Sequence, residues 1–180
     1  MLRGNCILEK IVLLIENKNN YSILKQLLAE KYLITNNTNN NEYIDTDLVI
    51  LDYSSLKTHR KKLSKLRTEL RPIILPVLLL VSPSEKSRLD HLDLSIANEL
   101  LSIPTEKVMI HTRVKNLLQL RKYSREAKQH IQLFQFIDKN APNGICIIKE
   151  SKIIYYNQTF LDLLEQGKTD FLAKNFLYIL

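Results

Sequence analysis

Glycine and cysteine are both scarce in this chain, and each shortage excludes a class of site. The sequence of 180 residues contains three glycines, Gly4, Gly144 and Gly167, which lie far apart. A glycine-rich loop that cradles phosphates is therefore excluded. The two cysteines, Cys6 and Cys146, are too few for a disulfide framework, and no Cys-x-x-Cys or Cys/His spacing suits a structural zinc ion.

Long apolar runs are also missing. The longest, Ile73–Val81, is interrupted by Pro76 and is about half of the ~20 residues that a membrane-spanning helix needs. The amino terminus, MLRGNCILEK, places Glu9 and Lys10 before a short apolar stretch and offers no small-residue cleavage site. The sequence thus predicts neither a membrane span nor a signal peptide, and we expect a cytoplasmic protein.

Basic residues outnumber acidic ones by 26 to 19, which gives a formal net charge of +7. The positive charge is concentrated in two stretches with helical character, residues 57–71 and residues 113–128. Solvated helix faces explain such stretches more simply than nucleic-acid binding does, because neither stretch has interleaved aromatic residues or a recognition-helix signature. Nucleic-acid binding is therefore ranked last among the functional hypotheses.

Short aliphatic runs alternate with amphipathic stretches along the first part of the chain. The runs are typical of strands buried on both faces, and the stretches have apolar residues at helical spacing. This alternation predicts an α/β domain built on a doubly wound parallel sheet. The five predicted strands cover Lys10–Ile15, Tyr32–Thr35, Leu48–Leu51, Val77–Val81 and Glu99–Ile103.

Two of the connections between these strands have distinctive local sequences. An asparagine-rich loop at residues 36–41 stands where a second helix is expected, so we predict that this helix is short or missing. Ser84 is predicted to cap the amino terminus of a helix that runs to Leu94.

Two carboxylates stand at the carboxyl ends of predicted strands, Glu16 after the first and Asp52 at the end of the third. Ligands of doubly wound sheets bind beyond those ends, where we expect the two side chains to converge. Paired carboxylates with a nearby hydroxyl suit Mg²⁺, beside which an aspartate can accept a phosphoryl group. The same residue types often cap helices, and this simpler interpretation stays open.

Four segments of the chain resemble, in order and spacing, the receiver domain of bacterial two-component response regulators. They are Lys10–Asn17 (KIVLLIEN), Asp47–Asp52 (DLVILD), Leu75–Ser82 (LPVLLLVS) and Glu99–Pro104 (ELLSIP). The resemblance covers residues 10–118 and implies a five-stranded, flavodoxin-like fold. It also implies that Asp52 is the phosphoacceptor, that Glu16 belongs to an acidic pair that binds Mg²⁺, and that the partner is a histidine kinase or a phosphotransfer protein.

The chain departs from the receiver pattern at several functional positions. The second acid of the pair falls on Asn17, which brings no charge, so the implied ligand set of Glu16, Asn17 and Asp52 should bind Mg²⁺ weakly. The hydroxyl residue that closes on the phosphoryl group falls on Val81 or, one position later, on Ser82. The lysine that precedes the proline is replaced by Ile103. The chain therefore resembles a degenerate receiver.

A helical apolar pattern continues beyond the receiver-like segment without Pro or Gly as far as Asn140. We interpret residues 119–135 as a signalling connector helix that pairs with a second copy in a homodimer. Residues 136–180 resemble the opening of a PAS sensor domain, with an Asn-Ala-Pro turn, a hairpin and a helix. The predicted divisions are therefore a receiver-like domain over 1–118, a connector over 119–135 and a truncated PAS-like segment over 136–180.

These observations lead to two main hypotheses about function. In the first, a receiver-like regulatory domain of a two-component phosphorelay accepts a phosphoryl group on Asp52, with Ser82 as a switch hydroxyl. The connector helix then relays the state to the PAS-like segment. In the second, a pseudo-receiver works without phosphorylation as a protein-docking or dimerisation module, which Asn17 and Ile103 favour. We do not expect the chain to be an enzyme under either hypothesis.

Overall fold

The computed structural model describes residues 8–36, 45–89 and 95–163. Its first unit contains a five-stranded sheet in which all neighbouring strands are parallel. The strand order is β2-β1-β3-β4-β5, which is the flavodoxin-like arrangement and confirms the predicted doubly wound α/β fold. The strands are β1 (Lys10–Leu14), β2 (Leu33–Thr35), β3 (Leu48–Asp52), β4 (Val77–Val81) and β5 (Glu99–Ser102).

The helices of this part of the chain are α1 (Lys18–Leu28), α2 (Tyr53–Glu69), α3 (Pro83–Lys86) and α4 (Lys107–Asn140). The predicted cap of α3 is wrong, because Ser82 rather than Ser84 precedes the helix and forms a capping box with Glu85. Residues 90–94 of that predicted helix and residues 37–41 of the asparagine-rich loop lie outside the described residues. None of the described helices is long and apolar enough to cross a membrane.

The hydrophobic core lies on both faces of the sheet. Because successive side chains of a strand point to opposite faces, Ile11 and Leu13 enter one cluster while Val12 and Leu14 enter the other. Helices α1 and α4 cover the first cluster, and α2 covers the second. The carboxyl-terminal edge of the sheet, where Glu16 and Asp52 lie, is therefore positioned by strands that are buried on both faces.

An ion pair ties α4 to the amino-terminal edge of the sheet, opposite the edge at which Asp52 lies. Arg125 of α4 binds Oδ1 of Asp47, the residue before β3, whose side chain is largely buried. The other carboxylate oxygen of Asp47 accepts the backbone N–H of Lys10 at 2.8 Å. One side chain thus joins α4 to the starts of β1 and β3.

A second polar contact of α4 involves Arg121, which is 2% exposed. Its Nη1 donates to the carbonyl oxygen of Ile74 at 3.0 Å, and the N–H of Ile74 donates to Oγ of Ser124 at 3.1 Å. Burial and, to a smaller extent, the neighbouring Arg125 lower the pKa of Arg121 to about 10, with Asp47 acting in the opposite direction. The buried guanidinium therefore stays charged at neutral pH and is held by a neutral carbonyl.

The chain divides into two units, residues 1–126 and residues 127–180. The described part of the second unit contains the end of α4, an antiparallel hairpin and a short helix, and these last elements follow the order that the sequence predicts. Residues 164–180 of the predicted PAS-like segment lie outside the described residues. The hairpin strands and the helix are β6 (Cys146–Lys149), β7 (Lys152–Tyr156) and α5 (Gln158–Leu163).

Asn157 holds the junction between β7 and α5. It is 2% exposed, and its Oδ1 accepts the backbone N–H groups of Ile145 at 2.8 Å and Phe160 at 2.9 Å. Its Nδ2 donates to the carbonyl oxygen of Asn143 at 3.2 Å. Because both polar atoms of this buried amide form hydrogen bonds, Asn157 ties the hairpin to the start of the helix that follows it.

Candidate functional site

Asp52 ends β3 and at the same time caps α2. Its Oδ1 accepts the backbone N–H of Ser55 at 2.9 Å, and its Oδ2 accepts the backbone N–H of Glu16 at 2.8 Å. The first bond satisfies one of the free N–H groups at the start of the helix, as N-cap residues commonly do. The second joins the carboxyl ends of β1 and β3, so the predicted meeting of Glu16 and Asp52 takes place through the Glu16 backbone.

Asn17 caps α1 in the same way. Its Oδ1 accepts the backbone N–H of Asn20 at 3.0 Å, and its φ and ψ of −70° and 112° are those of an extended residue before a helix. Glu16, the preceding residue, is exposed. The amide oxygen of Asn17, which stands at the position of the second acid of the receiver pattern, thus accepts a hydrogen bond from the backbone of α1.

Ser82 is engaged by the capping box of α3. Its Oγ donates to Oε2 of Glu85 at 2.8 Å and lies 3.1 Å from Oγ of Ser84, and its N–H also donates to Oε2 of Glu85, at 2.7 Å. The hydroxyl lies at the carboxyl end of β4, where the sequence placed it. Its hydrogen bonds run toward its own helix.

Apolar side chains occupy two positions at which the receiver pattern has functional groups. Val81 is the last residue of β4 and is fully buried. Ile103 follows β5, packs on the hydrophobic core and donates its backbone N–H to the carbonyl oxygen of Val81 at 2.9 Å. The side chains at these two positions therefore supply neither a hydroxyl nor an ammonium group.

The predicted Mg²⁺ ligands do not form a metal-binding set. Both carboxylate oxygens of Asp52 and the amide oxygen of Asn17 already accept backbone N–H groups. Mg²⁺ demands near-octahedral oxygen geometry, and turning either side chain toward an ion would open a helix cap. Among residues 8–36, 45–89 and 95–163, no group of three or more His, Cys, Asp or Glu side chains is placed to hold a metal. The residues present therefore do not fit the ion.

An open cleft of about 490 Å³ lies beside this edge, and the sequence analysis did not predict it. Leucine and isoleucine side chains from the end of β1 line part of it. The cleft mixes carboxylate, ammonium, phenol, amide and imidazole groups beside an apolar wall, which is a common composition for a ligand pocket. The side chains that carry those groups are Glu16, Lys18, Tyr21, Asn36 and His59.

His59 is one of several residues of this cleft that sequence reasoning missed. Burial lowers the pKa of His59, nearby Lys62 lowers it further, and Glu16 acts in the opposite direction. His59 lies two helical turns after Asp52 on α2, and this spacing is the signal that could have identified it. The histidine has no sequence motif around it, and its proximity to Glu16 brings α2 next to the end of β1.

No protein-family model and no curated protein matches this chain. Among solved structures, NtrX from Brucella abortus in complex with ADP is 15% identical, with a TM-score of 0.56 over 76% of this chain and 36% of its own. An adenylate cyclase from Rhodopirellula baltica is 12% identical, with a TM-score of 0.54 over 70% of this chain and 98% of its own.

A response regulator receiver domain (CheY-like) from Methylobacillus flagellatus is also similar. It is 12% identical, with a TM-score of 0.47 over 61% of this chain and 98% of its own. The chain spans little more than a third of the NtrX chain. At these identities, the similarity to NtrX and to the adenylate cyclase describes a common fold.

Proposed function

We propose that the unit formed by residues 1–126 is a receiver-like regulatory module of two-component signalling that works without phosphorylation, by docking a protein partner. The observation that supports this most directly is that each carboxylate oxygen of Asp52 accepts a backbone N–H. One oxygen of the carboxylate thus caps α2, and the other joins the ends of β3 and β1.

The chemistry of phosphoryl transfer explains why this use of Asp52 argues against an acceptor role. An attacking oxygen must be oriented by the site, and charges around it must stabilise the transferring group. Here both oxygens are oriented by N–H donors, the amide of Asn17 replaces a negative charge at the metal position, and Ile103 replaces a positive one. Reaction at Oδ1 would weaken the cap of α2, which is worth about 1 kcal/mol, and reaction at Oδ2 would weaken the bond to the Glu16 backbone.

The test is the intact mass of the protein after incubation with a small phosphodonor and Mg²⁺. We expect no phosphoryl adduct on the wild type, even at high Mg²⁺, while circular dichroism shows that the protein is folded. Asp52→Asn provides the matched control. A Mg²⁺-dependent adduct that forms on the wild type and disappears in Asp52→Asn would overturn the proposal.

The second candidate is the phosphorelay itself, with Asp52 as the acceptor, Ser82 as the switch hydroxyl, Glu16 and Asn17 beside Asp52 at a weak Mg²⁺ site, and a histidine kinase or phosphotransfer protein as donor. One observation favours it: Asp52 is only partly buried and lies at the same edge as the exposed Glu16. The intact-mass experiment separates the two candidates, because only this one requires an adduct.

Three further elements of the proposal concern the rest of the chain. The state of the first unit would be relayed along α4 to a PAS-like sensor module that begins near residue 136. Two copies would pair through the connector part of α4. The chain would act in the cytoplasm as a regulator and not as an enzyme, and the cyclase activity named for one structural neighbour is not carried over to it.

A further inference from the structure

The cleft beside the carboxyl end of β1 lies where the topology of the sheet favours a ligand. In the order β2-β1-β3-β4-β5, the chain leaves β1 toward one edge of the sheet and later continues from β3 toward the other edge. The gap beyond the ends of two such strands is the point at which doubly wound sheets bind their ligands. The cleft, of about 490 Å³, is lined there by the end of β1, by α1 and by α2. The topology and the cavity thus indicate the same place.

Several polar side chains that line this cleft have no protein partner among the described residues. The Glu16 carboxylate and the Lys18 ammonium take part in none of the ion pairs there. Ser55 is 4% exposed, and its backbone N–H binds Asp52 while its hydroxyl forms no hydrogen bond with another described residue. Because buried hydroxyl groups are normally hydrogen-bonded, a hydroxyl of this kind in the wall of a cleft indicates a bound molecule.

The charged groups of the cleft lie at its rim, and its interior is largely uncharged. Glu16 and Lys18 are exposed, whereas Leu13 and Leu14 are 1% and 5% exposed. Burial is the main cause that lowers the pKa of His59, so its imidazole is uncharged at neutral pH and can both donate and accept a hydrogen bond. A ligand that fits this arrangement combines a charged head group with an apolar body.

We propose that this cleft binds a free α-amino acid with an apolar side chain. A ligand with a single charge would meet a like charge at the rim, because an anion would face Glu16 and a cation would face Lys18. A zwitterionic head group satisfies both residues, with its ammonium toward Glu16 and its carboxylate toward Lys18. The apolar side chain of the ligand is then removed from water against Leu13 and Leu14.

Hydroxyl groups from both helices add hydrogen-bond donors for the carboxylate of the ligand. Ser22 lies on α1 and Ser55 on α2, so the two hydroxyl groups reach the cleft from different sides. A carboxylate can accept about four hydrogen bonds, which is more than one ammonium group supplies. A few polar groups of this kind beside an apolar wall are typical of pockets that orient a small molecule.

The inference goes beyond the proposed function, because it supplies a small-molecule signal to a module that works without phosphorylation. The side chains that it uses belong to residues 13–22 and 55–59, all of which the structure describes. The Asp52 carboxylate is not needed, since both of its oxygens accept backbone N–H groups. Absence of amino-acid binding would therefore leave the docking proposal standing, and a phosphoryl adduct would leave amino-acid binding to be measured separately.

The experiment is isothermal titration calorimetry of the full chain with L-leucine, L-phenylalanine, glycine and N-acetyl-L-leucinamide. The test variant carries Glu16→Gln and Lys18→Gln at exposed positions of the rim, and this pair of changes leaves the net charge as it is. The matched control carries Lys65→Gln and Glu69→Gln, which also remove one exposed charge of each sign, outside the cleft. Circular dichroism checks that both variants fold.

We expect the wild type to bind L-leucine or L-phenylalanine, and to bind glycine at least about tenfold more weakly because glycine has no apolar side chain to bury. The rim variant should lose about tenfold or more in affinity for the apolar amino acid, and the control should lose no more than about threefold. Absence of binding at millimolar concentration, or equal affinities of the rim variant and the control, would overturn the proposal. So would equal binding of N-acetyl-L-leucinamide and L-leucine, because the former has no charged head group.

Discussion

At the scale of single residues, Asp52 illustrates how a folded chain can use a carboxylate twice. A carboxylate at the end of a buried strand can cap the helix that follows, and its second oxygen is then free for another donor. In this protein the second donor is the Glu16 backbone, and the resulting bond crosses from β3 to β1. The residue is therefore positioned by two bonds whose partners lie on different elements.

This double use predicts the stability of Asp52 variants. Asp52→Ala loses both hydrogen bonds and should lower the free energy of unfolding by about 1–3 kcal/mol, as measured by urea denaturation. Asp52→Asn keeps one oxygen that can cap α2, but its amide nitrogen cannot accept the second N–H. The free energy of unfolding should therefore fall less in Asp52→Asn than in Asp52→Ala. An alanine variant as stable as the wild type would contradict the capping role and favour the phosphoacceptor candidate.

Asp47 and Arg125 give a second prediction at this scale. Asp47 is 9% exposed and binds both Arg125 and the Lys10 backbone, whereas the Arg125 side chain is 40% exposed. Asp47→Ala should therefore destabilise the protein by about 2–4 kcal/mol and Arg125→Ala by about 1 kcal/mol. Removal of Asp47, the more buried partner, leaves more polar groups without a hydrogen bond than removal of Arg125 does. Chemical denaturation of both variants and of the double variant measures the coupling. Equal losses would show that the backbone contact to Lys10 contributes nothing.

His59 gives a prediction about pH. Burial and Lys62 lower its pKa in the folded protein, so the unfolded chain binds the proton more readily in the pH range just below 6.5. The free energy of unfolding should therefore fall as pH falls through this range, and His59→Gln should remove part of that dependence. Urea denaturation between pH 5 and pH 8 measures it, with His130→Gln as the control for loss of a histidine. A contribution from His59 of the opposite sign would contradict the burial argument.

At the scale of elements, α4 shows why a helix boundary and a unit boundary need not coincide. The helix runs unbroken from Lys107 to Asn140, while the first unit extends to residue 126. The helix stays in contact with the sheet as far as Arg125 because Arg121, Ser124 and Arg125 find partners at the amino-terminal edge. Polar groups late in the helix, and not the apolar stripe alone, extend its contact with the first unit.

The hairpin of the second unit also depends on conformation at two positions. Its two-residue turn consists of Glu150 and Ser151, whose φ values are 51° and 60°. Left-handed backbone is unfavourable for residues with a Cβ, and turns of this kind prefer Asn-Gly. Ser151→Gly should therefore raise the stability of the hairpin by about 1 kcal/mol.

Amide hydrogen exchange across β6 and β7 measures this change in the hairpin alone. We expect slower exchange in Ser151→Gly than in the wild type. Lys152→Gly, at the first residue of β7, is the matched control and should exchange faster, because glycine gives the unfolded chain more conformational freedom to lose. Faster exchange in Ser151→Gly as well would show that the turn does not limit the hairpin.

At the scale of the whole molecule, the sequence predicts well what local pattern controls. Contiguous aliphatic residues identify β1, β3 and β4, because strands buried on both faces need apolar side chains at every position. The contacts that define the candidate site, and those that hold α4 on the sheet, join residues far apart in the chain. The bond between Glu16 and Asp52 spans 36 positions, and the pair of Asp47 and Arg125 spans 78. No local pattern specifies such contacts. Even a helix cap, which is a local feature, was predicted two residues from its observed position, at Ser84 instead of Ser82.

The last prediction concerns pairing of two copies through α4. Leu133, Phe136 and Ile137 are 57%, 66% and 50% exposed and lie three and four positions apart, so they share one side of the helix. Contiguous exposed apolar groups of this kind mark interaction surfaces. Sedimentation velocity at tens of micromolar should show a dimer that Leu133→Glu, within the connector, together with Phe136→Glu converts to a monomer. Val108→Glu, at a 68% exposed site of the same helix, should leave the dimer intact. A monomeric wild type would refute the pairing.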